Sequence, residues 1–483
     1  MSETLADALR HVTEKLRSTL EDGNEVAIIT HLDGDGITAG SILGIALNRM
    51  GARYSVRAIS GMNPSIIERM KNEGRDFYVI TDLGGGWASN LKEALGSKWA
   101  IIDHHQIPKE EILTDDNEQI LNPWKYGIDG GSHVSAGGMA YMVANSLNSK
   151  NRDLSALALV SAIADRQDQG KKKSFIGLNA DILKTAQSLG LVTVDLDIML
   201  TGRETKPLHE ALAHTCLPFI EGLSWNPDAC YALVTATGVK LKENGGRWRV
   251  PTEFAEEEKS RIVEEIIKFA AGSNKRIPSL SLDDLIGYVY TIVMEDERSQ
   301  LRDARDFSIV LNACGRTGMA GVGVALCMGD RNTALGVGDQ IMNTYRTTLG
   351  NYISRILSEK WRLVEDGDII FVIGDNLVDE DMLGAVSSLL SSSVSHMGRL
   401  LFVRTLTNTD TYRFSSRKSL SCNSGANLGL IMRNCSKAFS GTGGGHSAAA
   451  GCRIPISALD DFIVSIKAAI NDPKFGNDSS SSS

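Results

Sequence analysis

The stretch ITHLDGDGITAG, residues 29–40, places a histidine, two aspartates and three glycines between an apolar run and a helical pattern. The β-branched run 25–30 before it predicts a buried strand, and residues 37–51 after it repeat apolar side chains at a helical period that stops at a glycine. Asp33 and Asp35 therefore lie where a strand is followed by a helix. Two carboxylates this close repel each other, so a compensating charge is expected beside them.

The same alternation continues through the first third of the chain. Residues 76–81 and 98–103 are apolar runs that predict two further buried strands, and residues 153–165 predict a buried helix. Strands that alternate with helices in this way are typical of a parallel, doubly wound α/β sheet. Ligand sites in such sheets form beyond the carboxyl ends of the strands, so the side chains that follow the strands should meet in one crevice.

Acidic and imidazole side chains follow each of these predicted elements. They are His31, Asp33, Asp35, Asp82, Asp103, His104, His105 and Asp165. Carboxylate and imidazole ligands suit Mn²⁺, Mg²⁺, Co²⁺ or a similar divalent ion, and a set of this size indicates two ions. Two ions ~3.5–4 Å apart clamp a phosphoryl group and generate hydroxide at neutral pH. The alternative, that the aspartates are helix caps, suits Asp35 and Asp82 but does not explain two adjacent histidines.

The composition limits the class of protein. The chain has 483 residues, of which 42% are hydrophobic and 23% charged, and this length predicts several domains. It contains no run of ~20 apolar residues, so no membrane span is expected. The charged N-terminus predicts an amphipathic helix instead of a signal peptide. The seven cysteines form no CxxC pair, so reduced thiols and a cytoplasmic location are expected. The net charge of -9 does not favour bulk nucleic-acid binding, although metal ions and a local basic groove would offset it.

The chain divides into four predicted segments. Residues 1–190 predict the first α/β domain, residues 191–305 a helical or mixed middle region with a connector, and residues 306–472 a smaller α/β domain. Residues 473–483 end in a serine run, which predicts a disordered tail. A cleft between the two α/β domains is expected to hold the ligand.

Three elements of the second half are also predicted. YRFSSRKS (412–419) is typical of an edge strand, and HSAAAG (446–451) predicts the start of a small-residue helix. The helical stretch before Asn312 is expected to connect the two lobes.

Five short stretches resemble the motifs of one family. Four resemble, in order and spacing, those of the DHH phosphoesterase superfamily: HLDGDG (31–36), TDLGGG (81–86), IIDHHQ (101–106) and SAIADRQD (161–168). The stretch GTGGGHSAAAG (441–451) resembles the GGGH motif of the associated C-terminal domain, called DHHA1. Within the superfamily, the length and the stretch 301–318 resemble the archaeal RecJ-like single-strand exonucleases, which are also relatives of Cdc45.

The resemblance implies a role for each matched residue in the first lobe. Asp82 is implied as the bridging ligand of two metal ions, and the remaining implied ligands are Asp33, Asp35, His104 and Asp165. His105 is implied to face the scissile phosphate, and Asp103 to orient His104 through a hydrogen bond.

His31 separates two branches of the superfamily. It lies two residues before Asp33, as in RecJ proteins, whereas the pyrophosphatase branch has its histidine four residues before, where this chain has Ile29. The resemblance therefore disfavours a pyrophosphatase and leaves His31 as either a ligand or a neighbour of the metal site.

The predicted phosphate contacts lie in the second lobe and near the preceding helix. They are Gly443, Gly444, Gly445, His446, Arg417 and Arg316. The three glycines let backbone amides approach a phosphate, to which His446 donates a hydrogen bond, and a flexible linker is the alternative. Arg417 would bind phosphate with two parallel hydrogen bonds, unless it is an ordinary surface arginine. Arg316 is either another phosphate contact or part of a helix terminus closed by Gly315.

Three functions follow from these residues. The first is a metal-dependent exonuclease of single-stranded DNA or RNA in replication or repair, with a GINS-type replication factor as a partner that the archaeal resemblance suggests. The second is a phosphodiesterase of oligonucleotides or cyclic dinucleotides. The third is a Cdc45-like replication scaffold with a decayed site. The complete set of acids and histidines disfavours the third function, and the length of the chain favours the first over the second.

Overall fold

The computed structural model describes residues 4–107, 119–273, 280–393, 396, 398–419, 421–472 and 474. The chain forms two compact units, and each unit combines two separate stretches of sequence. The first unit contains Met1–Asp197 and Gly287–Asn343, and the second contains Ile198–Ile286 and Thr344–Ser483. The limits of the four predicted segments remain a prediction, and the predicted tail lies outside the described residues except for Lys474.

The first unit is built on a five-stranded parallel sheet in the order β2-β1-β3-β4-β5. Every residue of β3 and β4 is buried, which explains why these strands are continuous apolar runs instead of alternating ones. The strands are β1 Val26–His31, β2 Tyr54–Ile59, β3 Phe77–Thr81, β4 Trp99–Ile102 and β5 Ile120–Leu121. The predicted parallel α/β sheet is therefore confirmed.

Helices surround this sheet. They are Leu5–Glu21, Gly34–Arg49, Pro64–Glu73, Ala88–Leu95, Ala136–Leu147, Ser155–Ala164, Gly177–Ser188, Ala304–Arg316 and Ala320–Cys327. Side chains from two of them, such as Ile67 and Leu91, pack with Ile29 and Ile80 of the strands into one core. Two further strands, β6 Val192–Ile198 and β7 Ile286–Ile292, form a separate two-stranded sheet.

The second unit has a helical part and a mixed sheet. Residues 198–286 enclose their own apolar core, and the helices there are Leu208–His214, Pro227–Ala236, Glu256–Ser273 and Leu282–Leu285. The six-stranded sheet has the order β12-β13-β11-β10-β9-β8, with one parallel pair, β9 with β10. Its strands are β8 Leu363–Asp366, β9 Ile369–Ile373, β10 Leu400–Leu406, β11 Thr411–Lys418, β12 Thr442–Gly445 and β13 Ala449–Pro455. The remaining helices are Leu383–Ser391, Leu428–Ala438 and Leu459–Ile470.

Three predicted elements of the second half were wrong. The predicted edge strand is β11, which lies inside the sheet because β13 pairs with its free side. The predicted helix at residues 446–451 is the turn and first part of a hairpin, because Ala450, Cys452 and Ile454 alternate into the core with a period of two. The helix Ala304–Arg316 belongs to the first unit, and the chain passes into the second unit within the helix Thr333–Ser358.

Among the described residues, no helix has both the length and the apolar character that a bilayer requires.

Candidate metal centre

The turn after β1 positions the first two aspartates. Asp33 is the N-cap of the helix Gly34–Arg49, where its Oδ1 accepts a hydrogen bond from Gly36 N at 3.1 Å. Its other carboxylate oxygen, Oδ2, lies 2.9 Å from His31 Nδ1. Asp33 is therefore both a helix cap and a member of the charged cluster, so the two interpretations made from the sequence do not exclude each other.

A glycine is required at position 36 for reasons of space. A Cβ at Gly36 would collide with the carbonyl of His31, which ends β1. The glycine therefore lets the helix begin directly against the end of the strand, which brings Asp33 and His31 together.

Asp35 points into the protein and is only 2% exposed. Its oxygens accept hydrogen bonds from the first amides of the helix Ala136–Leu147, Ala136 N at 3.0 Å and Gly137 N at 2.9 Å, and from the Ser161 hydroxyl. The sequence suggested that Asp35 caps the helix that it begins, but it instead stabilises the N-terminus of another helix. The partial positive charge of that helix terminus favours the carboxylate.

Asp82 lies between two histidines. Its Oδ1 is 3.2 Å from His104 Nε2, and its Oδ2 is 3.5 Å from His31 Nδ1. The residue is 2% exposed and has a left-handed backbone (φ 60°), which is uncommon outside glycine. Neither Asp82 Oδ2 nor His31 Nδ1 has a hydrogen bond of acceptable geometry to any described residue. The two oxygens of Asp82 thus face two separate groups of donors.

His104 is held with one ring nitrogen towards these carboxylates. Its Nδ1 lies 2.7 Å from the Gly130 carbonyl, so this nitrogen carries the proton and donates it. Its Nε2 lies 3.2 Å from Asp82 Oδ1 and 3.4 Å from Asp35 Oδ2, where a cation would take the place of a proton on this nitrogen. A histidine whose second nitrogen donates to a backbone carbonyl is the usual arrangement of a metal ligand.

The predicted hydrogen bond from Asp103 to His104 was wrong. Asp103 Oδ1 instead accepts a hydrogen bond from His105 Nδ1 at 2.8 Å, and its Oδ2 accepts one from Gly85 N at 3.0 Å. In extended chain, side chains two residues apart share a side and adjacent ones do not, so Asp103 meets His105 and not His104. The ring of His105 remains 38% exposed, whereas that of His104 is 1% exposed.

Within the first unit, the cluster offers two groups of donor atoms that share no residue, and a third group, Asp82 with Asp103 and His105, overlaps the first; the atoms of each group lie within 4.8 Å of one another. The first group is His31, Asp33 and Asp82, and the second is Asp35, His104 and Asp165. Because Asp82 Oδ1 also lies beside His104, Asp82 belongs geometrically to both groups.

Burial and mutual repulsion shift the protonation of these groups. Burial and the charge of Asp82 raise the pKa of Asp35 well above its ordinary value, and burial also raises the pKa of Asp165. Burial alone would lower the pKa of His104, but the carboxylates of Asp165, Asp82 and Asp35 raise it well above its ordinary value. The cluster therefore retains protons that a divalent cation would replace.

These residues fit one or two divalent cations. The donors are carboxylate oxygens and imidazole nitrogens with no thiolate, and this set suits Mn²⁺, Mg²⁺ or similar ions. The two buried atoms without a hydrogen bond, Asp82 Oδ2 and His31 Nδ1, lie where a cation would bind.

The predicted phosphate contacts of the second unit lie on β11 and the β12–β13 hairpin. Gly443 to Gly445 form β12 and pair with Cys452, Gly451 and Ala450 of β13. His446 is in the turn, where its N–H donates to the Ala449 carbonyl at 2.8 Å. Arg417 lies on β11 opposite Ala449. In the sheet, β13 therefore lies between the strand of Arg417 and β12, and β12 leads into the turn of His446.

Arg316 lies at the end of a helix. Gly315 is inside the helix Ala304–Arg316, and the chain turns at Gly318, whose φ is 74°. A Cβ at Gly315 would collide with the Leu32 carbonyl, so the glycine lets this helix touch the turn before Asp33. The suggestion that Gly315 closes the helix was therefore wrong, and a phosphate contact by Arg316 remains a prediction.

Two residues that support the cluster were not identified from the sequence. Gln167 is fully buried, and its amide nitrogen lies 2.8 Å from Asp165 Oδ2 and 2.8 Å from the Gly130 carbonyl. Asn312 Oδ1 accepts a hydrogen bond from Gly34 N at 3.0 Å, across 278 positions of sequence. The position of Gln167, two residues after Asp165, was a usable signal, whereas nothing in the sequence pattern pointed to Asn312.

Family models match three stretches of the chain. The DHH family, N-terminal domain, matches residues 25–165, the DHH-CID domain residues 200–286, and the DHHA1 domain residues 367–472. The chain belongs to the DHH/DHHA1 superfamily. The DHH stretch contains the whole acid and histidine cluster, and the DHHA1 stretch contains Arg417 and the glycine hairpin. The superfamily is one of phosphoesterases, as the motifs implied.

Three similar proteins each cover most of this chain. An uncharacterised protein of Methanocaldococcus jannaschii is 26% identical over 445 residues, 91% of each chain. Cdc45 from Entamoeba histolytica has a TM-score of 0.62 at 14% identity and covers 98% of this chain and 100% of that chain. RecJ from Thermus thermophilus in complex with Mn²⁺ has a TM-score of 0.54 at 16% identity and covers 96% of this chain. The chain spans 54% of the length of that RecJ, and both structural similarities show a shared fold.

Proposed function

We propose that this DHH/DHHA1 protein is a divalent-metal-dependent exonuclease that hydrolyses phosphodiester bonds of single-stranded DNA or RNA by a two-metal mechanism. One observation carries the proposal: the two carboxylate oxygens of Asp82 face two different groups of metal-binding side chains. A carboxylate that reaches both groups would hold two ions close together, as a two-metal phosphoryl clamp requires.

Each group would hold one ion. His31, Asp33 and Asp82 would hold the first, and Asp35, His104 and Asp165, with Asp82, the second. When bound, the ions would supply positive charge for the phosphoryl oxygens and a lowered pKa for the attacking water.

The protein itself supplies orientation and a proton donor. Gln167 and the Gly130 carbonyl fix the ring of His104, so its Nε2 stays directed at Asp82 and Asp35. Burial alone would lower the pKa of His105, but the carboxylate of Asp103 outweighs burial and raises this pKa above its ordinary value, which favours the protonated ring. His105 is half-exposed, and its Nδ1 donates a hydrogen bond to Asp103, which orients the ring as the candidate proton donor to a non-bridging phosphate oxygen.

The substrate and cellular role are the finer parts of the proposal. The similarity to RecJ in fold supports a polynucleotide substrate, and RecJ was solved with Mn²⁺, which supports manganese as the ion. The similarity to Cdc45 in fold supports a role in DNA replication or repair, with a GINS-type replication factor as a partner. The seven cysteines without a CxxC pair support a cytoplasmic location. A Cdc45-like scaffold without activity is the second candidate, favoured by the coverage of the whole Cdc45 chain.

The test is hydrolysis of oligonucleotides labelled at the 5′ or the 3′ end, as single strands and duplexes of DNA and of RNA, with Mn²⁺. We expect mononucleotides to be released from one end of single strands, and no release in excess EDTA. The control is the exposed Asp181→Asn variant, which should match wild type, beside Asp82→Asn, which should be inactive.

The result also separates the alternatives. Hydrolysis confined to dinucleotides or cyclic dinucleotides would favour the small-substrate phosphodiesterase. Strand binding without hydrolysis by the wild-type protein at any metal concentration would favour the scaffold, and full activity in excess EDTA would overturn the metal mechanism.

A further inference from the structure

The loop that follows Asp165 is rich in unpaired cations. We call residues 166–173, RQDQGKKK, the basic loop. Its cations are Arg166, Lys171, Lys172 and Lys173, and none of their side chains forms a hydrogen bond or ion pair with any residue that the structure describes. In the same unit, by contrast, Arg49 is paired with Asp153 at 2.6 Å.

The basic loop is anchored from beneath by its other residues. Gln167 is fully buried and bonds to the carbonyls of Gly130 and Val134, at 2.8 and 3.2 Å. Asp168 is 4% exposed and accepts a hydrogen bond from Arg305 at 2.8 Å. The loop is thus fixed to the fold by neutral and acidic side chains that point inward, while Arg166 is exposed.

The end of the loop is fixed in the same way. The Lys173 carbonyl accepts a hydrogen bond from the Tyr290 hydroxyl at 2.9 Å, and Gly170 N donates to the Ser174 carbonyl at 2.9 Å. Lys171 and Lys173 remain exposed, and Lys172 is half-buried. The three ammonium groups therefore project from a closed turn whose position is fixed by backbone contacts.

Three of the four cations have a left-handed backbone. The φ angles are 57° at Arg166, 55° at Lys172 and 63° at Lys173. Residues with a side chain adopt this region rarely, and where several do so they mark a segment whose conformation the surrounding structure imposes. Such strain is concentrated at functional sites, because it presents side chains in directions that a relaxed loop would not.

The acids beside the basic loop compensate only part of its positive charge. The two acids nearest to these cations are already engaged: Asp165 belongs to the second group of candidate metal ligands, and Asp168 is bonded to Arg305. Four cations within eight residues repel one another; Asp165 and Asp168 offset part of the charge of Arg166, and no described side chain forms an ion pair with any of the four. A solvated lysine run is the ordinary alternative, but it explains neither the left-handed backbone nor the position directly after a candidate metal ligand.

We propose that the basic loop binds the phosphate backbone of the polynucleotide strand beside the metal centre. Arg166, next to Asp165, binds non-bridging oxygens of the phosphate at the metal centre through its guanidinium group, and Lys171 to Lys173 bind phosphates further along the strand. This inference rests on the proposed function and sharpens its substrate class: a chain of several phosphates, in preference to a compound with one or two.

The first experiment measures binding of a labelled single-stranded 12-mer and of a dinucleotide, in Ca²⁺ to block cleavage, over a range of salt. The triple variant Lys171→Gln, Lys172→Gln, Lys173→Gln should bind the 12-mer at least tenfold more weakly at low salt. Its slope of log affinity against log salt should fall by about 2, since each lost phosphate contact on a single strand contributes ~0.7. Its affinity for the dinucleotide should equal that of wild type.

The matched control has the same loss of charge on the same unit. It is the triple variant Lys71→Gln, Lys150→Gln, Lys184→Gln, whose lysines are exposed and lie outside the loop. Equal 12-mer affinity and equal salt slope for the loop variant and this control would overturn the proposal. Arg166→Gln should weaken the binding of both the 12-mer and the dinucleotide, and Arg166→Lys should recover part of the lost affinity. Unchanged affinity of Arg166→Gln for both ligands would mean that Arg166 does not belong to the site.

A second measurement uses the wild-type protein and so does not depend on how the variants fold. Lysines are acetylated with and without the 12-mer in Ca²⁺, and the modified positions are read by mass spectrometry. We expect protection of Lys171, Lys172 and Lys173 and none of Lys71, Lys150 or Lys184. Equal modification of both sets would overturn the proposal.

The outcome is distinguishable from failure of the proposed function. If wild type with Mn²⁺ hydrolyses neither the 12-mer nor bis(p-nitrophenyl) phosphate, the exonuclease proposal fails, whereas binding and protection in Ca²⁺ still report on the loop. If wild type hydrolyses the 12-mer and the loop is neither protected nor needed for affinity, the loop proposal alone fails.

Discussion

The metal centre of the first unit and the glycine hairpin of the second unit present opposite kinds of surface. In the metal centre, ionisable side chains such as Asp35, Asp82 and His104 are 1–2% exposed and are held by backbone amides and carbonyls. In the hairpin, β12 has a single side chain, Thr442, and otherwise presents backbone. The properties of the first region therefore depend on its side chains, and those of the second on how closely backbone segments approach one another.

The glycines of the hairpin show what this difference means. A Cβ at Gly443 would lie 2.6 Å from the Met432 carbonyl, and one at Gly445 would lie 2.6 Å from the Ala449 carbonyl. A Cβ at Gly444 would meet nothing closer than the Arg433 guanidinium at 3.8 Å. Packing thus requires a glycine at positions 443 and 445. At position 444 packing does not require one, so a functional contact is the remaining reason for Gly444.

The largest expected effect is on the metal centre, from Asp82→Asn. We expect turnover to fall by a factor of at least about 10³, ~4 kcal/mol of barrier, because the bridge between two ions is lost. Asparagine tolerates the left-handed backbone of this position and relieves the crowding of carboxylates, so the melting temperature without metal should not fall. Turnover above one tenth of wild type in the oligonucleotide assay would mean that Asp82 does not bridge.

The next effect tests whether the acidic cluster is stabilised by cations. Mn²⁺ at 100 times its dissociation constant should stabilise the wild-type protein by ~2.7 kcal/mol, measured as a rise in melting temperature. The same Mn²⁺ should stabilise Asp82→Asn much less, whereas Asp181→Asn, on the surface of the same unit, should respond like wild type. An equal shift in all three proteins would place the bound ion elsewhere.

The third effect separates packing from function in the hairpin. Gly443→Ala should destabilise the protein by roughly 1–3 kcal/mol, since its Cβ has no space beside the Met432 carbonyl. Gly444→Ala should change the free energy of unfolding by less than about 1 kcal/mol, because its Cβ is in ordinary contact distance. Urea unfolding measures both, and weakened oligonucleotide binding by Gly444→Ala alone would indicate close approach of a phosphate.

The variant His446→Ala tests whether the turn of the hairpin binds the oligonucleotide. Loss of a hydrogen bond to a phosphate should weaken oligonucleotide binding in Ca²⁺ by roughly 1–3 kcal/mol and leave Mn²⁺ affinity unchanged. The exposed Asn434→Ala variant of the same unit serves as the control. Unchanged oligonucleotide affinity would reduce the turn to a connection between strands, and lost Mn²⁺ affinity would make His446 a ligand.

The smallest effect concerns an ion pair in the DHH-CID stretch. Arg249 donates two hydrogen bonds of 2.8 Å to Glu258, which lowers the pKa of Glu258 to about 2. A carboxylate with a lowered pKa stabilises the fold above its unfolded pKa, so this contribution should be lost as the pH falls from 4.5 towards 2. Glu258→Gln should cost less than about 1 kcal/mol at pH 7, and the difference from wild type should disappear at about pH 2.

Much of the fold was readable from local pattern. The buried strands β1, β3 and β4 and the helix Gly34–Arg49 are confirmed because each is encoded by its own apolar period and turn residues. The helix predicted at residues 446–451 was wrong, because Ala449 to Gly451 have the small-residue composition of a helix and only their pairing with β11 selects the extended form.

The sequence by itself determined which residue types follow each strand, and parallel strand order was enough to predict that Asp33, Asp82 and His104 lie at one edge. Only the tertiary structure decided that Asp103 orients His105, that Gln167 holds the ring environment of His104, and that Gly34 bonds to Asn312. The reason is that periodicity encodes burial within a segment, whereas hydrogen bonds between segments up to 278 positions apart depend on where two backbones meet.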